Sequence, residues 1–294
     1  MAHLPVLLAE VVAGLALRPG MLIVDCTCGG GGHSAAIARQ IGAQGRLLAL
    51  DRDPLVSEYA RAVLAEHPNI ELCPQNFCHL PEVLAARQIP AVDGILIDLG
   101  VSSFQIDDPG RGFSWQKDCP LDMRMDTRRE QTAADLLAAA AESELADLIY
   151  KYGEERHSRR IARLICLARK ETKLTASGQL KTIVWRAAGG SYAAKTASVA
   201  RVFQALRIAV NDELNVLEKS LAKLVSCLKP GGRIAVISFH SLEDRIVKNT
   251  FRELQKQNSL TLLSKKPLTA GTAELKNNPR ARSAKLRIGA KNAG

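Results

Sequence analysis

Three aspartates in the amino-terminal third of the chain each follow a short apolar segment of the kind that forms a buried strand. They are Asp25, Asp51 and Asp98. The carboxyl ends of parallel strands meet at one edge of an open α/β sheet, and such sheets bind their ligands at that edge. We therefore expect the three carboxylates to lie together and to form part of a functional site.

A run of four glycines, Gly29 to Gly32, follows the first aspartate, and helical spacing begins directly after it. Glycine allows the backbone to pass very close to a ligand. A phosphate-binding P-loop would need Lys and then Ser or Thr after the last glycine, but His33 and Ser34 stand there. The dinucleotide pattern G-x-G-x-x-G fits Gly29 and Gly31 and fails at Ser34, which weakens nicotinamide binding without excluding it.

A third pattern fits the loop better. Small residues at every second position after Asp25, namely Thr27, Gly29 and Gly31, resemble the loop of methyltransferases that use S-adenosylmethionine (SAM), with Thr27 where glycine is commonest. SAM has no phosphate, so the loop is needed only for close approach to its amino-acid end. Asp51 lies 22 residues after Gly29, a spacing typical of the carboxylate that binds ribose hydroxyls. A solvated aspartate in an unrelated α/β domain is the alternative.

The composition is that of a chain with a large core. Of 294 residues, 47% are apolar, and no apolar run approaches the roughly 20 residues of a membrane span. Pro5 to Leu17 is interrupted by Glu10 and follows no basic segment, so we expect an amphipathic helix and not a signal peptide. Seven cysteines without paired spacing indicate free thiols and a cytoplasmic protein.

Cysteines and histidines near the glycine loop are the residues that could form a zinc site. Structural zinc sites usually contain closely spaced C-x-x-C pairs, and the sequence has none, so we predict no metal. The residues concerned are Cys26, Cys28, His33, Cys73, Cys78 and His79.

The positive charge of the chain is concentrated at its carboxyl end. The formal net charge is +10, and residues 245–294 contain 12 Lys or Arg against two Glu, whereas residues 1–244 are balanced. Such a segment indicates a polyanionic partner or, alternatively, a solvated tail. Aromatic residues make up 4% of the chain, which argues against a surface that recognises RNA by stacking many bases.

The alternation of strands and helices breaks after the fourth predicted strand and returns at Arg233. Residues 106–197 contain turn-rich segments and then helical patterns. We therefore predict an all-helical domain inserted into an α/β domain that comprises residues 1–105 and 198–294. Apolar spacing predicts one helix from Val199 to Leu228, and a closing strand pair is expected near Leu260 and Ile288.

Four arginines lie about one turn apart on a helix predicted from Glu154 to Lys170. A basic stripe of this kind suits contacts with phosphates, and a solvated helix face is an equally good interpretation. The arginines are Arg156, Arg159, Arg160 and Arg163.

Nine motifs, in order and over nearly the whole chain, together resemble the RsmH (MraW) family of bacterial small-subunit rRNA cytosine-N4 methyltransferases. Any one of them is weak, but their order makes the resemblance specific. They are His3-Leu-Pro-Val-Leu-Leu8, Gly29 to Ser34, Asp98 to Ser103, Arg111 to Phe113, Leu121 to Asp126, Tyr152 to Arg156, Phe203 to Ile208, Ser238 to Arg245 and Asn278 to Ser283.

The resemblance implies a SAM-dependent enzyme that methylates the exocyclic N4 of a decoding-region cytosine of 16S rRNA in the small ribosomal subunit, cytosine 1402 in the family's target. It also implies a Rossmann-like domain with a helical insert. Phe77 would lie near the adenine of the cofactor, with a core position as the alternative. The family's cofactor-binding positions fall here on Gly31, Gly32, His33, Asp51, Phe77, Asp98 and Gln105.

Two departures from the family's pattern are visible. Cys28 replaces a usual apolar residue, which a small buried thiol can do. Lys195 to Ser198 is looser than the usual Lys/His-Pro-Ala-Thr-Arg segment, which weakens the case for rRNA contacts in the insert. A nucleotide-dependent oxidoreductase and a non-catalytic RNA-binding assembly factor are the alternative functions. The intact loop, Asp51 and Asp98 argue against the second.

The chemistry of a cytosine amine makes a further demand. Its lone pair is delocalised into the ring, so the site must align N4 with the methyl group and accept hydrogen bonds from N4–H. We predict that Asp98 is the catalytic residue with this role, and that His240 and Ser241 contact the target or, alternatively, cap a helix. The basic residues expected to bind rRNA phosphates are Arg280, Arg282, Lys285 and Arg287.

Overall fold

The computed structural model describes residues 4–293, so His3 of the first motif lies outside the described residues. The chain forms two compact units. One comprises Met1–Ser102 and Leu214–Gly294, and the other comprises Ser103–Glu213. Within residues 4–293, no helix is both long and apolar enough to cross a membrane.

The described part of the first unit contains one sheet, whose order is β3-β2-β1-β4-β5-β7-β6. Strands β1 to β5 are parallel, and β7 runs antiparallel to both β5 and β6. In chain order the strands are β1 Leu22–Asp25, β2 Arg46–Leu50, β3 Ile70–Cys73, β4 Val92–Asp98, β5 Leu228–Ser238, β6 Leu260–Leu262 and β7 Lys285–Lys291.

The helices fall into two groups along the chain. Those of the first unit flank the sheet, and those of the second unit form the insert. In chain order they are α1 Leu8–Leu15, α2 Gly32–Ile41, α3 Pro54–Val63, α4 Leu80–Ala86, α5 Ser103–Asp107, α6 Ala133–Ala139, α7 Glu142–Gly153, α8 Ser158–Glu171, α9 Ser177–Ala187, α10 Tyr192–Asn211, α11 Glu213–Ser226, α12 Ser241–Lys256 and α13 Thr272–Asn277.

Both faces of the sheet are buried, and successive strand residues alternate between two apolar clusters. Val24 and Ile95 belong to the cluster that includes residues of α4, α11 and α12. Ile23 and Leu96 belong to the cluster that includes residues of α1 and α2. This burial on both sides explains why the strands are continuous apolar runs in the sequence, as parallel strands usually are.

The sheet reverses its strand order at β1, which pairs with β2 on one side and with β4 on the other. The connections from these neighbouring strands therefore leave in opposite directions and open a crevice beyond the carboxyl ends of the strands. The fold places the predicted site at this crevice. A mixed α/β unit of this kind agrees with the Rossmann-like class predicted from the sequence.

The second unit has its own apolar core, to which α6 to α10 contribute. A buried carboxylate organises it. Glu155 accepts hydrogen bonds from the backbone N–H of His157 (2.9 Å), from Ser198 Oγ (2.8 Å) and from Arg201 Nε (2.8 Å). Burial would raise the pKa of Glu155, but these donors and the charge of Arg201 together lower it. The connection between α7 and α8 is thus attached to α10.

The carboxyl end of the insert differs from the prediction. The expected helix from Val199 to Leu228 is two helices, because Asp212 has a left-handed backbone (φ 51°) that separates α10 from α11. The unit extends to Glu213 and not to residue 197. The reason is that Val199, Val202 and Leu206 of α10 pack in the core of the second unit, although their spacing alone fits either unit.

The carboxyl-terminal basic segment is partly structural, which corrects one expectation. Strand β7 lies between β5 and β6, and Arg287 forms two hydrogen bonds with Asp244 of α12, at 2.7 Å and 3.2 Å. Lys285 Nζ lies 3.5 Å from the same carboxylate. Burial would raise the pKa of Asp244, but the hydrogen bonds and charge of Arg287, with a smaller effect from Lys285, keep it below its usual value. Side chains along a strand alternate between its two faces, so Lys285 and Arg287, which are two residues apart on β7, both lie on the face toward α12.

We predict that Arg287→Met lowers the free energy of unfolding by about 3 kcal/mol, because it leaves a buried carboxylate without its main partner. The Arg287 and Asp244 side chains are only 12% and 13% exposed. Urea denaturation measures the change. Lys256→Met is the control, since its pair with Glu253 is exposed and should contribute little. If Arg287→Met left the stability unchanged but weakened RNA binding, Arg287 would have the role expected from the sequence, which is to bind rRNA phosphates.

Candidate active site

The site begins with three carboxylates at one edge of the sheet. Asp25 ends β1, Asp98 ends β4, and Asp51 follows β2 directly. Because β2, β1 and β4 are adjacent and parallel, their carboxyl ends lie side by side. The environments of the three side chains differ, and the differences assign them different roles.

Asp25 supports the glycine loop from inside the protein. It is fully buried, and its Oδ2 accepts a 2.6 Å hydrogen bond from Ser34 Oγ while its Oδ1 accepts one of 3.1 Å from the backbone N–H of Thr27. Burial raises the pKa of Asp25 to about 6, although both hydrogen bonds oppose the rise. The carboxylate therefore joins the two ends of the loop and is not exposed to a ligand.

The glycines of the loop are required by backbone conformation and by packing. Gly29 and Gly31 have left-handed backbones, with φ of 53° and 81°. A Cβ on Gly31 would lie 3.0 Å from the side chain of Leu64, and one on Gly32 would lie 2.8 Å from Pro5. Helix α2 begins at Gly32, so the loop delivers the positive end of a helix to the crevice without intervening side chains.

Asp51 connects this loop to the second strand. Its Oδ2 accepts a 2.8 Å hydrogen bond from the backbone N–H of Gly29, and its Oδ1 accepts one of 2.9 Å from that of Asp53. Burial raises the pKa of Asp51 to about 6 despite these donors. Each carboxylate oxygen can accept two hydrogen bonds, so Asp51 keeps acceptor capacity for a pair of ligand hydroxyls.

His33 lies between the amino-terminal segment and the fourth strand. Its Nε2 is 3.0 Å from the carbonyl oxygen of Val6, and its Nδ1 is 3.5 Å from Asp98 Oδ2. A carbonyl only accepts, so Nε2 carries a proton, and Nδ1 of a neutral ring is then an acceptor. Nδ1 lies within ion-pair distance of the Asp98 carboxylate, although 3.5 Å is too long for a strong hydrogen bond.

Of the three carboxylates, that of Asp98 has the fewest interactions that offset the unfavourable effect of its burial. Its backbone N–H donates to Thr27 Oγ1 at 2.6 Å, which ties the end of β4 to the glycine loop. Oδ1 is buried and has no hydrogen-bond partner among residues 4–293. Burial, followed by the charges of Asp25 and Glu243, raises the pKa of Asp98 well above its usual value. A carboxyl group with a strongly perturbed pKa in a crevice is a good candidate for chemistry.

The remaining predicted residues lie in different places. Phe77 follows β3 and is 8% exposed, and it packs against residues such as Leu80. Gln105 is buried on α5 of the second unit. The first unit alone brings together Gly31, Gly32, His33, Asp51 and Asp98.

Residues that the sequence reasoning did not assign also contribute. In the sequence, Thr27 and Ser34 were noted only because each stands where a glycine pattern expects glycine. In the structure, the Thr27 hydroxyl accepts a hydrogen bond from the backbone N–H of Asp98, and the Ser34 hydroxyl donates one to the Asp25 carboxylate. A hydroxyl residue close in sequence to an aspartate that ends a strand was the signal that could have predicted these contacts. His240, and not Ser241, is the N-cap of α12, in a capping box with the buried Glu243. The pattern of a polar residue three positions before Glu would have identified this cap.

We predict that Asp25→Asn stabilises the protein at pH 8 by up to about 3 kcal/mol. A folded pKa near 6 against about 3.9 in the unfolded chain means that stability is greatest with the proton bound and falls as pH rises through this window. Asparagine cannot ionise, and it can accept from Thr27 and donate to Ser34.

Urea denaturation of both proteins at pH 4.5 and pH 8 tests this prediction. The difference should shrink at pH 4.5, where Asp25 holds its proton more fully. Asp25→Ala, which removes the acceptor as well as the charge, should be less stable than the native protein at the lower pH. A less stable Asp25→Asn at pH 8 would contradict the pKa assignment.

Comparison with known proteins identifies the family. The model of the MraW methylase family matches residues 1–292. The chain is 48% identical over 288 residues to ribosomal RNA small subunit methyltransferase H of Deinococcus radiodurans, covering 98% of this chain and 89% of that protein. It is 43% identical to the protein of the same name from Halothermothrix orenii, with 97% of each covered. A solved rRNA methylase from Streptococcus thermophilus matches at 11% identity with a TM-score of 0.48, covering 99% of this chain and all of that one. The chain belongs to the MraW methylase family.

Proposed function

We propose that this protein transfers the methyl group of SAM to the exocyclic N4 of a decoding-region cytosine of 16S rRNA, cytosine 1402 in the family's target. The observation that carries the proposal is the buried, unpartnered Oδ1 of Asp98 at the carboxyl edge of the sheet. Family membership and two relatives named ribosomal RNA small subunit methyltransferase H support it.

The residues at the sheet edge fit the cofactor. Asp51 retains acceptor capacity for the two ribose hydroxyls after binding Gly29 and Asp53, and the side-chain-free start of α2 suits a close approach by the amino-acid end of SAM. Bound SAM supplies an electrophilic methyl group. The proposed cofactor-binding residues are Gly31, Gly32, His33, Asp51, Phe77, Asp98 and Gln105.

Asp98 is proposed to align the target amine. Oδ2 faces His33 Nδ1 at 3.5 Å, so Oδ1 is left to accept a hydrogen bond from N4–H and to orient the nitrogen lone pair for in-line attack. When the N–C bond forms and the C–S bond breaks, N4 becomes acidic and loses a proton. A carboxylate whose pKa is raised by burial and by Asp25 and Glu243 is a better acceptor for that proton than an ordinary one.

Transfer of labelled methyl from SAM to small ribosomal subunits that lack the modification, followed by nucleoside analysis, tests the proposal. N4-methylcytidine is the expected product. A different methylated nucleoside, or no label in subunits from a protein that binds S-adenosylhomocysteine, would contradict it. A rise in melting temperature with S-adenosylhomocysteine and not with NAD(H) distinguishes this function from an oxidoreductase.

We predict that Asp98→Asn lowers kcat by at least about 10²-fold, because misalignment of reacting groups alone can cost that much, and that this loss is much larger than the loss of affinity for S-adenosylhomocysteine. Asp93→Asn is the matched control, since Asp93 lies near the other end of the same strand and pairs with Lys229. Full turnover by Asp98→Asn with normal cofactor affinity would show that Asp98 has no role in alignment.

A further inference from the structure

The amino-terminal half of α8, together with Arg156 just before the helix, forms a strongly basic surface that neither the fold nor the proposed active site uses. Residues 156–173 contain seven Lys or Arg and one acid, Glu171. Four of the arginines are exposed and close together. We call these four residues the α8 arginine face: Arg156, Arg159, Arg160 and Arg163.

The charge of the α8 arginine face is not compensated within the second unit. None of its four residues has an ion pair or hydrogen bond in the described part of the chain. Other arginines of the unit are engaged: Arg201 with Glu155, for example, and Arg207 with Glu213. Glu155, the acid next to the face in the sequence, is fully buried and already bound by Arg201.

Folding alone does not favour these residues at these positions. The buried residues of α8 include Ile161 and Ile165, whereas all three arginines of the face that lie within the helix are exposed. Cations three or four positions apart repel one another on a helix. Arg159 and Arg160 also lie in the first turn, where the helix dipole disfavours positive charge and where α8 has no acidic residue. Repulsion among these arginines and with the helix dipole is therefore unfavourable in the folded protein, and a bound polyanion would relieve it.

We propose that the α8 arginine face binds the phosphate backbone of the substrate rRNA. This inference rests on the proposed function and names a binding surface on the inserted unit. Arginine is suited to the contact because its planar guanidinium forms paired hydrogen bonds with phosphate oxygens. Within α8, Leu167 is the one large apolar side chain that is exposed, so the helix offers little to a protein partner whose interface would need an apolar core. Contacts of this kind position the RNA and do not read its sequence.

The test compares two double variants that each remove two exposed cations four residues apart on a helix. Arg159→Gln/Arg163→Gln alters the face, and Lys219→Gln/Lys223→Gln alters α11 of the first unit, where both lysines are exposed. Glutamine preserves helix propensity. The measurements are the Kd for small ribosomal subunits that lack the methyl group and the KM and kcat with them, at several salt concentrations, and the affinity for S-adenosylhomocysteine.

The Arg159/Arg163 variant should raise KM for subunits about tenfold or more at low salt and reduce the salt dependence of log KM by roughly one to two units of slope. Its kcat at saturation, its cofactor affinity and its unfolding transition should match those of the native protein, as should all properties of the lysine variant. Arg159→Lys/Arg163→Lys should recover part of the affinity, since lysine keeps the charge and loses the paired geometry.

The outcomes separate this inference from the proposed function. Normal KM in the Arg159/Arg163 variant would show that the face is only solvated, while N4-methylcytidine formation would leave the proposed function intact. A raised KM with an unchanged salt slope would indicate a ribosomal protein as the partner and overturn the inference. If the native protein forms no N4-methylcytidine but the variant still loses binding to subunits, the proposed function fails and the binding surface stands.

Discussion

The structure depends on how three carboxylates are buried at the carboxyl ends of adjacent parallel strands. Burial disfavours ionisation, and nearby negative charges add to the effect, so the pKa values of Asp25 and Asp51 rise to about 6 and that of Asp98 rises well above its usual value. The first two are held by nearby donors from the glycine loop. The third keeps an oxygen without a partner in the described structure. The glycine loop, the start of α2 and the end of β4 are all fixed by these contacts.

This arrangement divides the work among chemically identical residues. Asp25 is enclosed by Ser34 and Thr27 and serves the loop. Asp51 shares its oxygens between the loop and the cofactor that we propose. Asp98, joined to the loop through its own backbone N–H, has a carboxylate oxygen without a partner in the described residues, and we propose that this oxygen binds the target amine. A site that keeps a carboxylate poorly solvated before the substrate arrives has strong electrostatic interactions to offer once it binds.

The sequence revealed this site because its signals are local. Apolar runs that end in aspartate predict strands with acids at one edge, and the family's motifs gave the same positions. The roles of Thr27 and Ser34 could not be read in that way, because they depend on hydrogen bonds to residues that folding brings near. Contacts between residues far apart in the sequence also explain where the structure differs from the predictions elsewhere. Nothing around Arg287 in the sequence indicates Asp244 as its partner. The regular apolar spacing from Val199 to Leu228 also gives no indication that Asp212 adopts a left-handed backbone and separates two helices.

We infer that the carboxylates at the sheet edge, which are half protonated near pH 6, ionise when the cofactor binds, and proton release on binding tests this inference. Calorimetry of S-adenosylhomocysteine binding in two buffers of different ionisation enthalpy measures it. With the pKa of Asp51 at about 6, the account predicts release of about half a proton at pH 6 and almost none at pH 8. The release at pH 6 should be lost in Asp51→Asn. Binding that releases no proton at pH 6, or equal release at both pH values, would contradict it.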